Sequence, residues 1–337
     1  MNKARCAAVL GLTGILLIVI VYVNMLTGSV RLSSEEVFGI LAGRDVDEMS
    51  RNIVMAIRLP RVLAAVILGG GLALAGYLLQ TFFNNPIVGP FVLGISAGAK
   101  LTVALTLIFF ISRGYKMGSM ALVLAAFVGA MISMGFVLLI SVRVRSMGIL
   151  VVCGIMISYI CSAITDLTVT FAADSDIVNL HNWALGSLSG MALDDVKVMA
   201  VLTAVCFIAT CLLAKPIGVY RLGEAYAQSV GVNILLLRVL LILISGFLAA
   251  CVTAFAGPIS FVGIAVPHLV KNLTKTTAPV IMIPGCFLMG SLVTLFADGI
   301  ARSIFAPTEV SISSVTAVLL VPVVIAVMLG RRREGRA

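Results

Sequence analysis

The stretch from Arg58 to Ala99, RLPRVLAAVILGGGLALAGYLLQTFFNNPIVGPFVLGISAGA, decides the fold. From Val62 to Phe82 it is apolar and free of charge, and about 20 such residues cross a bilayer as a helix. Small residues crowd its centre: Gly69-Gly70-Gly71, Ala73, Ala75 and Gly76. Such residues let helix backbones approach closely in lipid. Asn84-Asn85-Pro86-Ile87-Val88-Gly89-Pro90 then separates this run from the next apolar one. Proline removes a backbone donor and kinks or ends a helix. Backbone groups freed at membrane depth must be met by protein or by a water-filled cavity. An ordinary kink and a broken helix lining a transport path both fit.

The same alternation fills the 337 residues, of which 61% are apolar and only 11% charged. Soluble domains carry about 25% charged residues, so the pattern predicts an all-α membrane protein. Ten transmembrane helices are expected, over 8–27, 62–82, 91–112, 118–140, 147–172, 193–214, 235–256, 258–273, 279–298 and 311–330, within one transmembrane domain, 1–337. The first run, Ala7 to Leu26, is longer than a signal-peptide core and reads as a retained span. The net charge of +9 reflects basic residues at span ends rather than a nucleic-acid partner. Arg143, Arg145, Lys215, Arg221, Lys271, Lys275 and the tail arginines Arg331, Arg332, Arg333 and Arg336 fall on one side. Glu35, Glu36, Asp45, Asp47, Glu48, Asp174, Asp176, Asp194 and Asp195 fall on the other, with Arg31, Arg44, Arg51, Arg58 and Arg61. The short basic loops set orientation, so both termini are expected in the cytoplasm, with the chain multi-pass in the cell membrane.

No cofactor or metal site is expected. The seven cysteines are scattered without a C-x-x-C, and His181 and His268 are the only histidines. No G-x-x-x-x-G-K-[ST] occurs, so the chain carries no phosphate-binding loop of its own. Lys100 and Asp166 are the two charges well inside spans. They pair with each other, or else Lys100 snorkels and Asp166 bonds Thr165 or Thr168; both arrangements are open. Gly94-x-x-x-Gly98 and Gly186-x-x-x-Gly190 read as close helix contacts. Arg61-Val62-Leu63 and Arg238-Val239-Leu240 each open an apolar run that ends in Ala-Gly and a proline-interrupted segment. In the expected topology the two runs point in opposite directions, as in an inverted repeat.

Two hydrophilic features remain. Lys215 to Asn233, KPIGVYRLGEAYAQSVGVN, is the longest polar gap of the second half, and Leu222 to Val230 suits a short helix. Glu224 and Gln228, four apart, share one face of it; Ala225, Ala227 and Gly231 keep the other faces small. Outside, Arg58 and Arg61 stand at the mouth of the second span, with Asp298, Arg302 and Glu309 at the last hairpin. They read as boundary anchors, or as a basic patch for an acidic partner.

Together RLPRVLAAVILGGGLALAGYLLQTFFNNPIVGPFVLGISAGA, NWALGSLSG (Asn182–Gly190), LGEAYAQSVGV (Leu222–Val232), GPISFVGIAVPHLVK (Gly257–Lys271) and PGCFLMGSLVTLFADGIAR (Pro284–Arg302) resemble the FecCD/vitamin B12-type permease family of ABC importers along nearly the whole chain. The resemblance implies a type II ABC importer permease: a dimer with a second copy or paralogue, two cytoplasmic ATP-binding subunits and an extracytoplasmic substrate-binding protein. ATP hydrolysis then belongs to a partner, and this chain is not an enzyme. The resemblance maps binding-protein docking onto Arg58, Arg61 and Arg302. It maps ATPase coupling onto Gly223, Glu224, Ala225, Gln228 and Gly231, within the cytoplasmic segment 215–234. Lys100, Asp166, Pro267 and Pro322 are candidates for the path, which the family lines mainly with the fifth and tenth spans. Three departures concern that path: Ser311-Ile312-Ser313 follows Glu309-Val310 in place of Pro-x-Gly, Val321 precedes Pro322 where glycine is common, and Lys100 stands in a usually uncharged segment. The expected cargo is an iron chelate, a siderophore or haem, with cobalamin as the alternative. A self-contained secondary transporter is the rival from another class; it predicts uptake on an ion gradient without an ATPase.

Overall fold

A computed structural model describes residues 3–28, 30, 32–44, 47–111, 119–144, 146–304, 306 and 308–334. Arg31, Asp45, Arg145 and Arg336 lie outside the described residues, as does the junction of the third and fourth expected spans at 112–118. In order the helices are α1 (Lys3–Leu26), α2 (Ser34–Leu41), α3 (Glu48–Asn52), α4 (Leu59–Phe82), α5 (Ile95–Thr106), α6 (Ser119–Arg143), α7 (Met147–Val169) and α8 (Asp174–Leu185). There follow α9 (Leu193–Leu212), α10 (Ala214–Tyr220), α11 (Glu224–Ser229), α12 (Ile234–Ala256), α13 (Val262–Thr274), α14 (Pro279–Ser303) and α15 (Ile312–Glu334). A π-turn over Ile53–Arg58 joins α3 to α4 in one column, Glu48–Phe82.

Among the described residues seven helices are long and apolar enough to cross a membrane: α1, the α3–α4 column, α6, α7, α9, α12 and α14. They coincide with seven of the ten expected spans. The other three differ. Pro90–Leu93 forms a 3-10 turn capped by a left-handed Gly94, so α5 starts only at Ile95 and continues as a π-turn to Ile111. Where the span 258–273 is expected, the structure has a helix of 13 residues, α13. At 1.5 Å per residue that is about 20 Å, short of a hydrocarbon core of about 30 Å. Residues 257–260 carry no helix, and Phe261 is left-handed at φ +63°. The apolar part of α15 within the described side chains, Ile312–Ala326, is likewise shorter than the expected 311–330.

Column α4 is the axis of the bundle. Its sides meet α14, α12, α13, α9 and α1. A Cβ on Gly76 would lie 1.8 Å from the Gly263 carbonyl oxygen, and one on Gly69 would lie 2.7 Å from the Gly290 carbonyl oxygen. Helices in lipid gain by such contact, because apolar tails supply no hydrophobic drive of their own. Gly98 and Gly129 make a second seam, between α5 and α6. Gly186 and Gly190 do not form a helix seam: they are turn residues at φ +75° and +76°, and Gly190 faces open space.

The end of α4 explains the Asn84-Asn85-Pro86 punctuation. Asn84 is left-handed at φ +45°, its amide donates to the Thr81 carbonyl, and the Asn85 amide donates to Gln80. This is a Schellman stop, which satisfies carbonyls a helix end leaves orphaned. The internal echo has a structural counterpart. The long helices α4 and α12 each end in an irregular proline-containing segment that leads to a helix of 12 or 13 residues.

Candidate functional site

The structure gathers Arg58, Arg61 and Arg302 at one end of the bundle, but turns their guanidinium groups inward. Arg58 is 3% exposed. It donates to the carbonyls of Met25 at 2.6 Å and Leu26 at 3.0 Å, and to that of Val30. Arg302, half-buried, donates to the Asn24 carbonyl at 2.7 Å and the Asn24 Oδ1 at 2.6 Å. Two cations thus meet carbonyls of the last turn of α1, where the helix dipole favours positive charge. Arg61 is 7% exposed. Its Nε and Nη2 donate to Asp298 at 2.9–3.1 Å and its Nη1 to Glu309 at 2.7 Å. In this conformation Arg58 and Arg61 are braces that tie α1, α4 and α14 together, not a free basic patch. The reason is steric: both lie where α1 and α14 close over α4, and a charge buried there must be paired. Among the described residues Arg44 and Arg51, the latter on α3, are exposed arginines between α1 and α4.

A knot of irregular backbone gathers where α8 and α12 end and α15 begins. The Ser187 amide donates to the Ala256 carbonyl at 2.8 Å. The Ser311 hydroxyl donates to the Leu185 carbonyl at 2.7 Å, and the Ser313 hydroxyl donates to Pro258. A Cβ on Gly257 would lie 2.6 Å from the Trp183 carbonyl oxygen. The serines that replace the expected Pro-x-Gly therefore satisfy carbonyls that the breaks before α9 and α13 leave without helical partners.

At the opposite end the segment 215–234 folds as two short helices, α10 and α11, rather than one. Glu224 is exposed, but its carboxylate is already engaged. Its carboxylate accepts from the Tyr220 hydroxyl at 2.9 Å and from Arg238 at 2.5 Å, which ties α11 to the second turn of α12. Burial alone would raise its pKa, but the bonds from Arg238 and Tyr220 hold the carboxyl below its ordinary 4.5. Arg61 and Arg238, the arginines of the two echoed tripeptides, thus each make an ion pair, at opposite ends. Gly223 and Gly231 flank α11 at φ +124° and +90°, with open space around both. Ala225 and Gln228 are exposed, and Ala227 is buried.

Sequence reasoning missed Leu222, Tyr226 and Val230, which are 71%, 53% and 57% exposed. Tyr226 and its C-cap neighbour Val230, four apart, share a face of α11, while Leu222 precedes the Gly223 turn; the spacing of four was the available signal. Apolar groups clustered on a surface mark a contact site.

The remaining candidates do not converge. Lys100 on α5 and Asp166 on α7 sit on packed helices, yet no ion pair between them occurs among the described residues. Thr165 and Thr168 donate to Cys161 and Ile164, not to Asp166. Asp166 and Pro322 are exposed on α7 and α15, and Pro267 is buried inside α13. Among the described residues no three His, Cys, Asp or Glu side chains gather to hold a metal.

The sequence matches the FecCD transport family over residues 16–330. The vitamin B12 import system permease protein BtuC of Klebsiella pneumoniae subsp. pneumoniae is 34% identical over 283 residues, 84% of each chain. That of Salmonella typhi is 35% identical over 280 residues, 83% of this chain and 84% of its own. A solved inward-facing metal-chelate type ABC transporter superposes with a TM-score of 0.85 at 26% identity, covering 96% of this chain and 99% of that one. PsaBC from Streptococcus pneumoniae shares the fold at a TM-score of 0.53 and 14% identity, over 87% and 94%.

Proposed function

The chain belongs to the FecCD transport family and is the permease of an ABC importer, and we propose that it passes an iron chelate from an extracytoplasmic binding protein to the cytoplasm. ATP hydrolysis lies with a separate subunit of such transporters. The observation that carries the coupling assignment is the segment 215–234: two short helices with Leu222, Tyr226 and Val230 exposed at one end of the bundle.

Leu222, Tyr226 and Val230 are the apolar contacts for a groove on the ATPase, with Ala225 and Gln228 beside them. Gly223 and Gly231 act as flanking turns and Glu224 as the brace that passes movement to α12. Orientation follows the basic loops, with both termini and this segment cytoplasmic. The arginine end then faces the binding protein. Arg44, Arg51 and the half-buried Arg302 supply its positive charge. Arg58 and Arg61 hold the rim in shape, and Arg61 becomes available to an acidic partner only when Glu309 leaves it. A second copy or paralogue packs where α7 exposes Tyr159, Ile160 and Leu167, each at least 60% exposed. The path runs along that axis, past Asp166 and Pro322.

Cobalamin is a second reading of the cargo, favoured by the vitamin B12 permeases at 34–35% identity. Fluorescence quenching of the cognate binding protein separates the two, with tight response to a ferric siderophore or haem expected and to cobalamin alone contradicting. For coupling, Tyr226→Arg with Gln228→Arg is expected to abolish co-purification of the ATPase while leaving the permease inserted. Unchanged co-purification refutes the assignment.

A further inference from the structure

Helix α2 carries an apolar surface that the transport reading leaves unused. It lies beside α1, whose Ile15, Ile18, Val19 and Tyr22 are exposed and, at spacings of three and four, form one stripe. On a helix long and apolar enough to cross a membrane that stripe faces lipid. Near the arginine end α2 folds back against it. The rings of Tyr22 and Phe38 lie 5.8 Å apart, and the Tyr22 hydroxyl donates to Ser34 Oγ at 2.9 Å. Tyr22 precedes Leu26, the end of α1, by about one helical turn, roughly 6 Å along the axis. Phe38 is therefore held against the flank of a spanning helix, not above its end.

This helix has two apolar sides. Val37 and Ile40, three apart, are buried in the core. Phe38 and Leu41, also three apart, are 59% and 48% exposed. The charges sit at the other end, where Glu35 and Glu36 are exposed in the first turn. The backbone is closed at both ends. Ser33 Oγ accepts from the Glu36 amide at 3.2 Å, and the Glu36 carboxylate accepts from the Ser33 amide at 2.7 Å. The carbonyls of Phe38, Gly39 and Ile40 accept from the amides of Ala42, Arg44 and Gly43. Backbone satisfied from within is what a segment needs to enter lipid, which offers no hydrogen bonds of its own.

We propose that α2 is an interfacial anchor: Phe38 and Leu41 rest at the boundary of headgroups and acyl chains beside Tyr22, with Glu35 and Glu36 toward water. Lipid is the occupant because the exposed side of α2 continues the lipid-facing stripe of α1 through the Tyr22–Phe38 contact. Helices that lie in the interface bury an apolar side about 5–10 Å deep, which agrees with the level of Tyr22. Aromatic rings concentrate at that level. The anchor bears on the arginine end directly. Arg58 donates to the carbonyls of Met25 and Leu26 at the end of α1 and of Val30 on the way to α2, so α2 seated in lipid holds the connection that receives Arg58.

The test uses the full chain in phosphatidylcholine nanodiscs and tryptophan fluorescence. Trp183 is the single tryptophan, so Trp183→Phe gives a silent background into which Phe38→Trp or Glu35→Trp is placed. Phe38→Trp is expected to emit at shorter wavelength than Glu35→Trp. It should lose most of its intensity when the lipid is brominated near the headgroup end of its acyl chains, and little to aqueous iodide. Glu35→Trp should show the reverse. If Trp183→Phe does not fold, the difference in emission between Phe38→Trp and the parent chain gives the same reading. Iodide quenching of Phe38→Trp without lipid quenching overturns the proposal, and protection from iodide that appears only on addition of the binding protein assigns the face to that partner and also overturns it. Quenching of Phe38→Trp by neither agent means that protein covers the face, and equal lipid quenching at both positions contradicts the stated seating; each overturns it.

Discussion

Removal of Arg61 should damage the fold before it damages docking. Its guanidinium holds Asp298 through three contacts of 2.9–3.1 Å, and the Asp298 side chain is 1% exposed. Arg61→Met leaves that carboxylate buried without its hydrogen-bonded counter-ion. Breaking such a pair from one side costs about 3–5 kcal/mol. At 1.4 kcal/mol per factor of ten, the unfolding equilibrium shifts by roughly a hundredfold to several-thousandfold. Asp298→Leu alone strands the arginine and costs a similar amount. The double variant removes both charges, and replacement of a buried pair by apolar groups is often neutral. The Glu309 arm of the same arginine is 41% exposed, so Glu309→Gln should cost at most about 1 kcal/mol. The assay is denaturant titration of the purified protein in mixed micelles, run as a double-mutant cycle. An Arg61→Met variant within about 0.5 kcal/mol of wild type, the range of ordinary surface changes, would refute the reasoning and return Arg61 to a free docking role.

Three further outcomes are expected. Gly76→Val drives a side chain into the Gly263 backbone, so it should cost about 3 kcal/mol or more, read as loss of folded protein in detergent, whereas Gly190→Ala meets open space and should cost only its left-handed strain. Ser313→Ala removes one hydrogen bond, about 1 kcal/mol, Ser311→Ala removes its bond to Leu185 and those it accepts from Ser314, and both should speed hydrogen exchange at the Ser187 amide; unchanged exchange contradicts the knot. The Glu224 carboxyl titrates below 4.5 in the folded chain, so its brace should be intact above about pH 5 and fade as pH falls through that lowered value. ATPase co-purification that fades between pH 8 and 6 would contradict it.

The bundle was legible because a helix that crosses lipid must be apolar along its length. Position 76 was legible too, because close packing in lipid demands small residues. What hydropathy cannot tell is helix from extended backbone. Residues 258–261 are apolar enough to continue a span, and only the left-handed Phe261 shows that they do not. The arginines were visible at the mouth, but their partners were not. Asp298 lies 237 residues from Arg61 and Met25 lies 33 from Arg58, beyond any local pattern. Glu224 stood out as a charge in a polar loop, which suggested a contact outward; its acceptor role toward Arg238 depends on how α11 folds back on α12. Leu222, Tyr226 and Val230 went unmarked for the opposite reason. In a chain that is 61% apolar, three more apolar residues carry no contrast until the structure shows them exposed.

The central claim is that this permease moves cargo only when coupled to an outside motor. The direct measurement is uptake of a labelled ferric chelate, and in parallel labelled cobalamin, into proteoliposomes holding this chain alone or with its ATPase and binding protein. Uptake that requires both partners and ATP, and that persists when proton and sodium gradients are collapsed, is the predicted result. Uptake by the chain alone on an ion gradient would contradict it.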